Sequence, residues 1–184
     1  MSAPQQLFVA EGTFGVLDGG DIPVDTADWS NGLAAPMSHG AVILTGIRTG
    51  DVQVTAEAHN TPLQTDDHAS WEEIVEVSVL CESGQLLVES LDLGPAEDLP
   101  DLASAGSGWY RIRVHAHGRN TNPDGTDSDP IEHYLLTAWP STSAETAILK
   151  SSQRIAAELA RHAGQPGHAP QPTPPADHPL IKPE

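Results

Sequence analysis

The stretch Gly108-Trp109-Tyr110-Arg111-Ile112-Arg113-Val114-His115-Ala116-His117-Gly118-Arg119 alternates residue by residue between apolar and polar side chains. Side chains of an extended chain repeat every two residues. Tyr110, Ile112, Val114 and Ala116 therefore share one face, and Arg111, Arg113, His115, His117 and Arg119 share the other. This is the pattern of a β-strand with one face on a core and one face open. The open face holds three of the chain's eight Lys and Arg residues, in a protein whose formal charge is −18. A concentrated basic stripe sits inside an acidic chain.

A second strand of the same kind runs from Trp71 to Cys81. Val75, Val77, Val79 and Cys81 fall on one face, and Glu72, Glu76 and Glu82 on the other. If the two strands are neighbours, Arg111, Arg113 and Arg119 meet these glutamates in cross-strand pairs, each contributing a few tenths of a kcal/mol when exposed. Outward from these two strands, Leu7 to Val16 reads as one or two short strands broken at Gly12 and Gly15. Ala41–Ile47 and Val52–Ala58 read as a hairpin, and the turn Glu82–Gln85 leads into Leu86–Leu91 as another. Ile131 to Trp139 closes the sheet before Pro140. Trp29, a large aromatic in a polar loop, is expected to plug an edge of the core. Seven or eight strands joined mostly by hairpins predict an all-β fold, an antiparallel β-sandwich over residues 1–140.

Helical spacing enters only beyond Pro140. Ile148, Ile155 and Leu159 recur at helical intervals, Arg154, Arg161 and His162 lie toward the C-terminal end, and Gly164 can stop the turn. One C-terminal helix is predicted over residues 141–163. Residues 164–184 carry seven prolines, from Pro166 to Pro183, and are expected to be disordered or polyproline-like.

The acidic excess, 26 Asp and Glu against 8 Lys and Arg, speaks against nucleic acid or anionic membrane as a direct partner. Binding to phosphates is driven by Lys and Arg. An acidic surface suits solubility, or steering toward a basic partner. Cys81 is the one cysteine, so no disulfide forms within the chain; at the end of an apolar alternation it reads as a buried structural thiol. Met1 to Val9 has neither a basic n-region nor an apolar h-region, and no run approaches a membrane span. The chain reads as cytoplasmic.

His115 and His117 share a strand face, and His133 on the following strand can approach them. This is an alternative reading as a ligand- or metal-binding β-module, with Asp124, Asp127 and Asp129 able to add oxygens. Against it, Arg111, Arg113 and Arg119 flank the pair and repel a cation. Asp124 to Asp129 resembles part of a calcium loop in composition but lacks the terminal bidentate Glu, so a polar turn is the better reading. No nucleophile elbow, P-loop, paired-His zinc motif or dinucleotide glycine motif occurs. Neither catalytic residues nor a cofactor are expected.

The Phe14-x-Val16 strand ending in an acidic turn, the Trp29 loop and Trp71-Glu72-Glu73 form part of a wider layout. Gly108-Trp109-Tyr110-Arg111-Ile112-Arg113-Val114 and the closing Glu132-x-Tyr134-Leu135-Leu136-x-x-Trp139-Pro140 complete it. The layout resembles small bacterial all-β proteins similar to competence protein J, the inhibitor of a DNA-entry nuclease. The likeness covers Leu7 to Pro140; the helix and tail lie outside it. It implies an inhibitor or immunity-type protein that binds a partner protein and catalyses nothing, and it carries over no functional residue. On this reading an acidic surface fills the basic cleft of a nuclease or toxin. The expected contacts are Glu72, Glu73, Glu76, Asp66, Asp67, Asp124, Asp127 and Asp129.

Overall fold

The computed structural model describes residues 3–63 and 68–163. In chain order the first strands are β1 (Gln5–Val9), β2 (Thr13–Asp18), β3 (Ala34–Pro36), β4 (Ala41–Leu44), β5 (Thr49–Ala58) and β6 (Glu73–Cys81). There follow β7 (Leu86–Ser90), β8 (Gly94–Pro95), β9 (Gly108–His117), β10 (Thr126–Asp127), β11 (His133–Pro140) and β12 (Ala147–Lys150), then one helix, α1 (Gln153–Ala163). Sheet A has the order β1-β5-β11-β9-β6-β12, with β10 alongside β5; sheet B has the order β3-β4-β2-β7-β8. The all-β sandwich read from the sequence is the fold observed.

The alternating strands behave as their pattern dictates. Tyr110, Ile112, Val114 and Ala116 of β9 are buried between Val75, Val77 and Val79 of β6 and Tyr134, Leu136 and Ala138 of β11. Phe14 and Val16 of β2 and Ile43 of β4 supply the opposing layer of one core cluster. The Phe14 ring meets Tyr134 edge-on across the sandwich, with centroids 5.2 Å apart. Cys81 is buried as expected, and burial pushes its thiol up to about 11.

The connections differ from the expected hairpins. The β4–β5 and β6–β7 pairs are not neighbours in a sheet; in each, the chain crosses from one sheet to the other. Sheets stand about 10 Å apart, roughly twice the spacing of paired strands, so each corner needs an anchor. At the β6–β7 corner the anchor is Asp18 of β2. Its carboxylate accepts the Glu82 amide at 2.6 Å, the Ser83 amide at 3.0 Å and the Ser83 hydroxyl. The sandwich is also not wholly antiparallel, because β11 runs parallel to β5. The connector after β9 returns the chain to the end where β5 begins, laying β10 beside Thr49 and Gly50, and β11 then enters in the direction of β5.

Two other expectations are corrected. Residues 147–150 are not the start of a helix: β12 pairs with β6, and α1 begins only at Gln153. Pairing there satisfies backbone groups that an uncovered β6 edge would leave open. Ile148 and Leu149 stay exposed, and of the three residues at helical spacing only Ile155 is buried. Trp29 does not plug the core; 43% of it faces solvent. The proline-rich residues 164–184 lie outside the described residues. Among the described residues no helix is long and apolar enough to cross a membrane.

Candidate functional site

The basic stripe is not an open face. Strands β6 and β9 are neighbours, with Glu76 opposite Arg113 and Ser78 opposite Arg111. The Glu76 carboxylate accepts Arg111 Nε at 3.1 Å and Arg113 Nε at 2.7 Å, and all three side chains are largely buried. Arg111 also donates to Ser78 Oγ at 3.1 Å and to the Ala144 carbonyl at 3.2 Å, where the chain crosses toward β12. The Arg113 guanidinium lies 5.5 Å from the centre of the Trp139 ring. His115 is fully buried, with Nδ1 3.1 Å from the Leu135 carbonyl and the Trp71 ring 5.4 Å away. These charges pair across the strands, as their spacing predicts, and the stripe is a covered structural ladder.

Gly118 explains why Arg119 leaves that ladder. Its φ is +88°, and a Cβ there would collide with the Ile131 carbonyl. The turn breaks the alternation, and Arg119 pairs with Glu73, which lies on the inward face of β6. Both are buried. Arg119 also donates to the Gly32 carbonyl at 3.1 Å, and Glu73 accepts the Ser152 hydroxyl at 2.5 Å. Glu132, fully buried, accepts the Gly46 and Ile47 amides at 2.9 and 2.5 Å and the Tyr134 hydroxyl at 2.5 Å. Burial, reinforced by Glu132, pushes the Tyr134 hydroxyl well above its usual range. Glu73 and Glu76 are therefore structural anions, not surface contacts. Asp66 and Asp67 lie outside the described residues.

Four of the eight expected contacts remain accessible at the end of sheet A where β5 and β6 begin. Asp124 and Asp129 are exposed; Asp127 and Glu72 are half-buried. The connector that carries the aspartates is docked, not loose. The Asp124 amide donates to the Gly46 carbonyl and the Arg48 amide to the Gly125 carbonyl, both at 2.8 Å. Asp127 sits opposite Gly50, and its carboxylate accepts the Asp129 amide at 3.2 Å. Glu72 accepts the Gly118 amide at 3.0 Å and lies 3.8 Å from His117 Nδ1. His117 and His133 are cross-strand partners, so two of the three candidate ligands do come together. The third, His115, is engaged elsewhere, and among the described residues no group of three His, Cys, Asp or Glu is placed to hold a metal ion.

Charge is divided along the chain. Residues 1–110 hold 18 Asp and Glu against one Arg, Arg48, while the remainder holds eight against seven Lys and Arg. Every strand of sheet B falls in the acidic part. The described cations outside the ladder are engaged locally: Arg48 with Glu11 at 2.5 Å, Lys150 with the His68 and Trp71 carbonyls, Arg154 with Asn120 at 2.5 Å, Arg161 with the Ala157 carbonyl at 3.4 Å. The exposed Asp21, Asp25 and Asp28, on the loop between β2 and β3, belong to this field and are not among the expected contacts. Their signal in the sequence is the absence of any Lys or Arg before Arg48.

No family model matches the sequence, and no curated protein matches it. Among solved structures the chain is similar to one described as Crocagin biosynthetic gene J, at 15% sequence identity and a TM-score of 0.42, over 77% of this chain and 97% of that one.

Proposed function

We propose that this chain is a non-catalytic inhibitor or immunity-type protein, acting in the cytoplasm, which binds a basic partner such as a nuclease or toxin through its acidic surface. The observation that carries the reading is the division of charge. Arg111, Arg113 and Arg119 are spent on Glu76 and Glu73 inside sheet A, and the first 110 residues hold 18 carboxylates against one Arg of their own, so the exposed carboxylates there stand in large excess. A surface of one sign steers an oppositely charged partner and fixes its orientation. The docked connector holding Asp124 and Asp129 presents its charges with little ordering cost. The resemblance to the competence protein J group supports the same class of activity.

The test is retention of a Lys- and Arg-rich protein from native lysate on the immobilised chain, followed by kinetics with the purified partner. Between ~20 and ~200 mM salt the association rate is expected to fall about tenfold, with a smaller change in dissociation. Asp124→Lys with Asp129→Lys should slow association at low salt. A partner that associates equally fast at both salt concentrations refutes the proposal.

A further inference from the structure

The loop between β2 and β3 roofs the outer face of sheet B. Beneath it lies a second hydrophobic cluster of Leu17, Ala35, Met37 and Val42, against which Ala27 packs. The loop is tied down along its length. Thr26 Oγ1 accepts the Ser38 amide at 2.8 Å and donates to the Pro23 carbonyl at 2.7 Å. The Asp28 amide donates to the Pro36 carbonyl at 3.0 Å, and the Asp28 carboxylate accepts the Ser30 amide at 2.9 Å. Asp21 lies 2.9 Å from His39 Nε2.

A loop built over an apolar cluster could turn its large side chains into it. This one turns in an alanine and leaves Ile22, Val24 and Trp29 exposed, at 39%, 53% and 43%. The three fall within eight residues and are interleaved with the exposed Asp21, Asp25 and Asp28. Clustered apolar residues on a rigid, polar-rimmed surface mark interaction sites, and a tryptophan is among the commonest anchors of binding energy.

We propose that Ile22, Val24 and Trp29 are the apolar anchor of the acidic surface, and that their occupant is a protein surface with an apolar pocket rimmed by Lys and Arg. Charge complementarity selects this occupant: the three aspartates, with no Lys or Arg within residues 1–47, repel anionic lipid headgroups and a second copy of the same loop alike. The inference rests on the acidic-surface reading and deepens it.

The full chain, labelled with nitrogen-15, is titrated at low salt with two synthetic peptides of equal length, one polylysine and one an amphipathic helix of Leu and Lys. Both should bind, the Leu/Lys peptide at least about tenfold more tightly, with amide shifts centred on residues 21–31. Trp29→Ala, and separately Val24→Ser, should remove that advantage while leaving polylysine binding and the melting temperature unchanged. Equal affinity for the two peptides, shifts centred on residues 120–130, or insensitivity of both variants overturns the anchor. A Trp29-dependent dimer of the chain alone overturns it in favour of a second copy. Failure of both peptides to bind refutes the acidic-surface reading itself.

Discussion

Asp18 shows at the scale of one residue how this acidic protein uses a carboxylate internally. Burial pushes its pKa up, but the Ser83 hydroxyl and the Glu82 and Ser83 amides outweigh burial and hold it below the usual 3.8. A carboxyl whose folded pKa is depressed contributes stability that is present above its unfolded pKa, near 3.9, and lost as pH falls through the folded value. Asp18→Asn places an amide donor among amide donors and should cost about 1–3 kcal/mol at pH 7. Urea denaturation should show the difference between the parent and Asp18→Asn narrowing below about pH 4. A difference that stays constant down to pH 2 would mean that shape, not charge, holds the β6–β7 corner.

Among the elements, α1 is attached most lightly. Its described contacts with the sandwich and its loops include the buried Ile155, whose Cγ2 lies 3.2 Å from where a Cβ on Gly32 would sit, the Arg154 bond to Asn120, and the bond from Ser152 to Glu73 just before it. Ile155→Ala should cost about 2 kcal/mol or more of local stability. Hydrogen exchange should accelerate in residues 153–163 and remain unchanged in β9; acceleration in both would show that the helix is integral to the core. The contrast between β9 and β12 also shows what the sequence makes legible. β9 is buried on one face by the core, so its side chains had to alternate. β12 pairs along one edge of the sheet and leaves Ile148 and Leu149 exposed, so no period of two is imposed, and its residues were read as helix. The sheet-crossing corners were hidden for a related reason, since local turn chemistry is the same whether the next strand pairs or crosses over. Within the candidate site, Asp124 and Asp129 were legible as exposed turn residues. The inward side of Glu73 was legible, since alternation puts it on the face of Val75 and Val77; its buried partner was not, because it is the turn at Gly118 that brings Arg119 to meet it.

Across the whole molecule two kinds of charge coexist, and salt separates them. The pairs of Glu73 with Arg119 and of Glu76 with Arg111 and Arg113 are buried and little screened. The carboxylates of the first 110 residues, 18 against one Arg, include many at the surface that repel one another across solvent. Self-repulsion of a high net charge destabilises the compact state, and added salt weakens it over a distance of about 10 Å at 0.1 M. The melting temperature of the free chain should therefore rise, by about 2–5 °C, between ~20 and ~300 mM sodium chloride. Partner association is expected to weaken over the same range, so stability and binding respond to salt with opposite signs. That opposition is what the proposed recognition role predicts, a surface charge kept for a partner at a cost to folding. A melting temperature that falls with salt would place the dominant electrostatics in the internal pairs, and would leave the exposed carboxylates without the mutual repulsion that partner steering requires.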